Sequence, residues 1–295
     1  MPAMLGASLL SAAASLPLHL LPLLIVSVIA DGGLSTVQAG MIATACMLGQ
    51  MLMALALPSL GVRRLSRPVA ALAACTGLLA LGWSVDLRQQ ALLLPWFVIG
   101  AAGGALQFLG ATSAAAAKDR AYAFSLRLTV TLLVSGVVVA GLQFGSGFFD
   151  YAAVAVQFSV LFAVLTGAGL CLYRAPAPML RPRPACTERE EPQRRLAGLA
   201  VVFLLFVGQP GFWAFAVQGV QQRGVVLEGV VFAIAGCKIV AALALFWIAS
   251  RPQAIERRAG QLLWPGLGAA AGVAGMALAS GAWSFFAAML LWGSF

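Results

Sequence analysis

Ala7 to Ala30 reads ASLLSAAASLPLHLLPLLIVSVIA and stops at Asp31-Gly32-Gly33. It holds no Asp, Glu, Lys or Arg, and as a helix rising ~1.5 Å per residue it is long enough to cross the ~30 Å hydrocarbon core of a bilayer. No basic residue precedes it, as a secretory leader would require, so it reads as a retained first transmembrane helix. The rest of the chain repeats the theme. Of its 295 residues 62% are hydrophobic and 9% charged, and mean hydropathy is +0.97. Soluble domains average ~45–50% apolar and ~25% charged, so too little polar surface exists here to cover a water-soluble fold. The solvent is lipid. Lipid leaves helices or closed barrels as the options, and the apolar runs are continuous rather than alternating, which selects helices.

Outward from that first run, further spans are expected at about 37–60, 69–85, 92–116, 122–144 and 152–173. The stretch from Arg174 to Arg195 then turns rich in Pro, Arg and Glu, too polar to span and too proline-rich for a stable helix. Apolar runs resume at about 196–220, 226–249, 262–279 and 283–295. The last is ~20 Å as a helix and too short to cross, so the chain is expected to stop inside its tenth helix. Three regions follow: a six-helix bundle over 1–173, a cytoplasmic linker over 174–195 and an incomplete helical bundle over 196–295.

Charge placement sets the topology. Of the 18 Lys and Arg, fourteen occupy one alternate set of loops, including Arg63, Arg64, Arg67, Lys118, Arg120 and the linker arginines. The other set holds Arg88 and Arg223. The positive-inside rule puts the rich set, and with it the N-terminus, in the cytoplasm. The net charge of +9 is spread through these loops rather than gathered on one face, which argues against nucleic acid. The five cysteines form no CxxC pair, and four lie within apolar runs, so they read as small apolar fillers rather than metal ligands. One histidine, no P-loop and no nucleophile–base cluster leave nothing for an enzyme, and no cofactor is called for.

The halves resemble one another. Gly33-Leu34-Ser35-Thr36-Val37-Gln38-Ala39-Gly40 opens the second span, and Gly224-Val225-Val226-Leu227-Glu228-Gly229 opens the eighth, with Gly229 standing where Gly40 stands. Each of these spans ends in a basic turn, Gly61 to Pro68 and Ser250 to Arg258. A break after six helices with similar halves on either side is a repeat of the kind transporters use.

On the opening GLSTVQAG, the turn GVRRLSRP at 61–68, the glycine-rich fourth span GAAGGALQFLG at 100–110 and the six-helix break, the chain resembles the major facilitator superfamily. The resemblance implies an all-α polytopic membrane protein with a six-helix N-terminal bundle and an incomplete C-terminal one, sited in a bacterial-type inner membrane. It implies secondary transport of a small solute by alternating access, with coupling to protons as one mode, and it makes Gly61, Arg63, Arg64 and Arg67 a conformational or gating loop. The sequence departs from the family pattern in this turn, which lacks an acidic residue. It departs again in the fourth span, where Pro95-Trp96 replaces an early basic residue, and in the fifth, where Gly136, Gly141 and Gly145 stand without proline. Two other readings stay open: a ten-span drug/metabolite-type carrier, which would place its linker after span five, and a truncated, non-transporting membrane protein.

Ionisable groups within spans are costly and mark function or pairing. His19, Arg127 and Lys238 are the three here, and no Asp or Glu lies deep in any span. Lys238, midway along its span among Ala235, Ala241 and Ala242, reads as lining a cavity. Arg127 lies near the cytoplasmic end of its span, within snorkelling reach, and His19 stands between Pro17 and Pro22 as a titratable group. Gln107, Gln143 and Gln209 join them as polar cavity candidates, with Gln209-Pro210-Gly211 expected to break the seventh span. A cavity lined by cations and neutral amides favours an organic anion.

Overall fold

The structure is a computed structural model that describes residues 2–60, 66–87, 89–144, 150–174, 215, 217–220, 222–249 and 263–293. Every regular element among the described residues is helical: α1 (Pro2–Gly32), α2 (Thr36–Ser59), α3 (Ser66–Val85), α4 (Leu93–Ala115), α5 (Arg120–Phe144), α6 (Tyr151–Leu172), α7 (Leu227–Ala249), α8 (Leu263–Leu278) and α9 (Ala282–Gly293). A short 3₁₀ turn, Gln89–Leu92, leads into α4. Among the described residues 7 helices, α1 to α7, are long and apolar enough to cross a membrane. This is a helical multi-pass membrane protein.

Helices α1 to α6 match the first six expected spans, with α1 starting at Pro2 instead of Ala7. The eighth, ninth and tenth expected spans are α7, α8 and α9. Of the seventh, Phe215 and residues 217–220 are described and helical. The linker, Arg174 excepted, lies outside the described residues, as does the Gln209-Pro210-Gly211 break.

Helix starts are set by side chains that satisfy the orphan amides of the first turn. The Ser35 hydroxyl accepts from the Gln38 amide while Gln38 accepts from the Ser35 amide, a reciprocal capping box that fixes the start of α2. Asp150 accepts from the amides of Ala152 and Ala153 and starts α6. Hydroxyls inside the spans turn back on their own helix: Ser15 donates to the Ser11 carbonyl and Thr166 to that of Phe162. This keeps polar atoms satisfied where no water reaches.

Within the first bundle α1 is the enclosed helix, packed against α4, α5 and α6, with Leu10, Leu16, Leu21 and Ile25 fully buried. Helix α4 packs against α1, α2 and α3. The glycines of its GAAGG stretch explain how. A Cβ at Gly100 would collide with the Cys46 carbonyl of α2, and one at Gly104 with the Gln50 carbonyl, while on the α2 side Gly49 meets the Phe97 carbonyl. Between apolar helices in lipid, close backbone approach of this small-xxx-small kind supplies the association energy that a hydrophobic effect cannot. Facing outward are large apolar side chains such as Leu72, Leu79, Val164 and Leu243, 61–75% exposed, the surface that hydrocarbon covers.

The second-half helix α7 packs against α5, and α9 packs against both α7 and α8. The helices before and after the linker therefore meet along α5 and α7, and α1 packs on α5 beside that meeting.

Candidate functional site

Proline, alanine and glycine together build a polar point at the junction of the halves. In α1, Pro22 has no amide proton to give the Leu18 carbonyl, which relaxes the ladder around His19. In α7, Ala235 and Ala242 stand a turn either side of Lys238 on its face of the helix, both small and buried. In α5, Gly136 lets the two backbones close: a Cβ there would lie 3.1 Å from the Ala235 carbonyl, 3.0 Å from Ile239 Cγ1 and 3.3 Å from Lys238 Cβ.

Lys238 is buried, 7% exposed, and its Nζ lies 2.8 Å from His19 Nδ1. Both residues sit near the middle of their helices, so the contact spans the two halves at mid-membrane depth. Its chemistry is constrained. A protonated amine has three donors and no acceptor, so it pairs with an imidazole whose Nδ1 carries a lone pair and whose proton is on Nε2. A neutral amine can also donate to the same lone pair, or accept from a ring N–H. In every case at least one of the two groups is neutral, and the pair carries at most one positive charge.

The other expected site residues do not converge there. Arg127 is half-buried on α5, its guanidinium over the Phe124 ring at 5.3 Å and its Nη1 3.5 Å from the Gln107 backbone carbonyl of α4. It stands nine residues before Gly136, ~14 Å along the helix from the Lys238 contact. Arg127 and Gln107 are therefore brought to each other and held apart from His19 and Lys238. Their level contains buried polar atoms with no hydrogen-bond partner among the described residues: Arg127 Nε, Gln107 Oε1, and Ser11 Oγ of α1. Such groups are expensive in a lipid-embedded core, and they make this a second polar locus, toward the Arg120 end of α5.

Gln143 stands in the last turn of α5, its side chain outside the described set. Gln209 lies outside the described residues, as do Gly61, Arg63 and Arg64 of the expected gating loop. Arg67 of that loop is exposed in the first turn of α3. Among the described residues, no three His, Cys, Asp or Glu side chains come together to hold a metal.

Two contacts were beyond sequence reasoning. Gln218 Nε2 donates to Thr36 Oγ1 at 3.2 Å, and Gly40 faces the Phe215 ring. These tie the seventh span to the opening of α2, the end read as external. Gln218 is one polar residue in an apolar run, and nothing local marks its partner. The closeness of Gly136 to Lys238 was equally hidden, because the fifth-span glycines give no sign of which helix each one faces.

No family model matches this chain, and no curated protein matches it. Among solved structures, the chain is similar to a bacterial homolog of the human lysosomal transporter Spinster, determined in an inward-facing and unoccupied conformation. The TM-score is 0.49 at 16% sequence identity, over 99% of this chain and 73% of that one.

Proposed function

We propose that this chain is a secondary active transporter of the major facilitator kind that carries a small organic anion across a bacterial-type inner membrane by alternating access, with its N-terminus in the cytoplasm. The observation that carries the reading is the Lys238–His19 contact. A buried cation midway through the membrane is costly, and it lies where a first-half helix meets a second-half helix. Alternating access is a rocking of two halves about a site at their interface, and a site placed there feels every change in their separation. The repeated span openings at Gly40 and Gly229 and the break after six helices support the two-half construction.

The sign of the site supports the cargo. Among the described spans its ionisable groups are basic or neutral, so an anion gains where a cation would lose. A thermal-shift screen of organic anions, sugars, amino acids and hydrophobic cations identifies the class, since a ligand at 100 times its Kd stabilises by ~2.7 kcal/mol. Uptake into proteoliposomes then tests the site. Lys238→Gln removes a charged hydrogen bond worth ~1.5–3 kcal/mol, so flux of the anion should fall at least roughly tenfold. Anion flux that is the same in the variant, or a screen that returns hydrophobic cations alone, overturns the reading.

A further inference from the structure

The Lys238–His19 contact has a consequence beyond attracting an anion. Nζ and Nδ1 are 2.8 Å apart, and the contact exists only while one of the two nitrogens supplies a lone pair. An anion that draws the Lys238 ammonium away takes the donor that Nδ1 was using. The ring is then left with an acceptor in a dry site and a negative charge beside it, and a proton satisfies both.

We propose that His19 and Lys238 form an exchange site at which one monovalent anion and one proton together replace the Lys–His hydrogen bond. The charges balance. Empty, the pair is an ammonium and a neutral imidazole, +1 in total. Loaded, it is an ammonium, an anion and an imidazolium, again +1. The N–H···Nδ1 bond is lost, an N–H···anion bond forms at Lys238, and a proton from the aqueous side that opens adds to Nδ1. The membrane interior therefore holds the same net charge in both states, and movement of the loaded site carries anion and proton without net charge. That the anion is the cargo rests on the transporter reading; the exchange is a property of the pair itself.

Few other titratable side chains lie on the described helices packed around the pair. On α7, Cys237 is the nearest other titratable side chain to Lys238, its thiol donating to the Met289 carbonyl of α9 at 3.1 Å, and Glu228 lies ten residues off and exposed. On α1 the one other ionisable side chain is Asp31, twelve residues away and exposed. Helix α5 brings Gly136 to the site, with Arg127 ~14 Å along it and Arg120 and Tyr122 further still. Of the helices packed on α1, α2 carries Cys46, held against Gly100 of α4, and α6 carries Tyr151, bonded to Trp96 of α4, and an exposed Cys171. Helices α4 and α9 contain no titratable side chain.

The chain has a single histidine, which makes the test direct. With ¹⁵N-histidine incorporated and the full chain in lipid nanodiscs, nitrogen NMR reads the state of His19 alone. Without added anion the ring should be neutral, with Nδ1 unprotonated and accepting. Benzoate and methanesulfonate at high concentration should move Nδ1 through the full shift between an unprotonated and a protonated ring nitrogen. Benzamide, neutral and of the same shape as benzoate, should not. A dye in weakly buffered solution should register one proton taken up per histidine converted. Lys238→Gln, checked for fold by size-exclusion profile, should abolish the response. The wild-type arm decides on its own if that variant fails to fold. A ring with Nδ1 protonated in the anion-free protein, or one left in place by every anion, overturns the proposal, and so does an identical response in Lys238→Gln. A ring that responds in a protein that moves no solute across vesicles would sink the transporter reading and leave the exchange standing.

Discussion

Two helix seams in this molecule are built by opposite means. Between α2 and α4, Gly49, Gly100 and Gly104 bring backbone against backbone, and each glycine faces a carbonyl of the other helix. Between α1, α5 and α7 the meeting is looser and made mostly of side chains: the His19–Lys238 hydrogen bond, and Gly136 against Ile239, Lys238 and, at one point, the Ala235 carbonyl. The first seam joins helices of one half and the second joins the halves. A contact that must hold through every state can be made of rigid backbone, since packed interfaces do not deform continuously. A contact that must open and close is better made of groups with alternative partners. Lys238 and His19 have such partners in an anion and a proton; the Cys46 carbonyl has none.

The sharpest way to break the comparison is to add one methyl group to each seam. Gly100→Ala drives a Cβ into the Cys46 carbonyl, and a backbone carbonyl in a helix cannot step aside. Helices α2 and α4 must separate, at an expected cost of roughly 2–3 kcal/mol, near the upper range for overpacking. Thermal unfolding followed by fluorescence-detected size exclusion should show the loss. A melting curve like that of the unmodified protein would mean that the seam is softer than its geometry.

Gly136→Ala should cost less in stability and more in function. Its methyl group would meet Ile239 Cγ1 at 3.0 Å, the Ala235 carbonyl at 3.1 Å and Lys238 Cβ at 3.3 Å, each only a few tenths of an ångström inside ordinary contact, unlike the outright overlap at Gly100. Stability should change by under ~1 kcal/mol. If α5 and α7 slide or rock during transport, the same methyl obstructs the path, and ~1.4 kcal/mol on that barrier would slow flux tenfold. The pair of variants sharpens the contrast: a stability loss at Gly100 and a rate loss at Gly136. Equal stability losses at both would erase the difference between weld and seam.

How much of this was legible beforehand follows from the same contrast. The spans α1 to α6 and α7 were readable because apolar length is set by the bilayer, one residue at a time. The start of α2 was readable because caps are local, whereas α3 begins at Ser66, inside the stretch read as the 61–68 basic turn. Lys238 and His19 were each readable as costly residues, but their meeting was not. They are 219 positions apart, and pairing across halves depends on how the bundles dock. Arg127 shows the same limit: the sequence places it near one end of its span, and only the fold puts its guanidinium against the Gln107 carbonyl. Glycine carried the most information with the least address. The GAAGG stretch of the fourth span announced close packing, and only the fold says that Gly100 and Gly104 face α2 while Gly103 faces α1, where an added Cβ would lie 3.0 Å from the Ala14 carbonyl.

The smallest effect tests whether polar side chains within one half behave as the comparison requires, holding the half together without gating it. Trp96 Nε1 of α4 donates to the Tyr151 hydroxyl of α6 at 3.0 Å, with the indole 1% exposed and stacked on Phe158 at 6.3 Å between ring centroids. Trp96→Phe keeps an aromatic body against Phe158 and deletes the donor, while Tyr151→Phe keeps the ring and deletes the acceptor. Each should lower stability by about 1 kcal/mol, the net worth of a buried neutral hydrogen bond. Tyr151→Phe also strands the indole N–H, so it should be the costlier of the two. The double variant should lose less than the sum, because the second change removes a group that the first has already left unpartnered. Anion flux per folded molecule should stay within about twofold of the starting protein in all three, a barrier change of ~0.4 kcal/mol. A tenfold fall in Trp96→Phe would place the α4–α6 contact among the moving parts, and the division between a welded half and a separable seam would have to be redrawn.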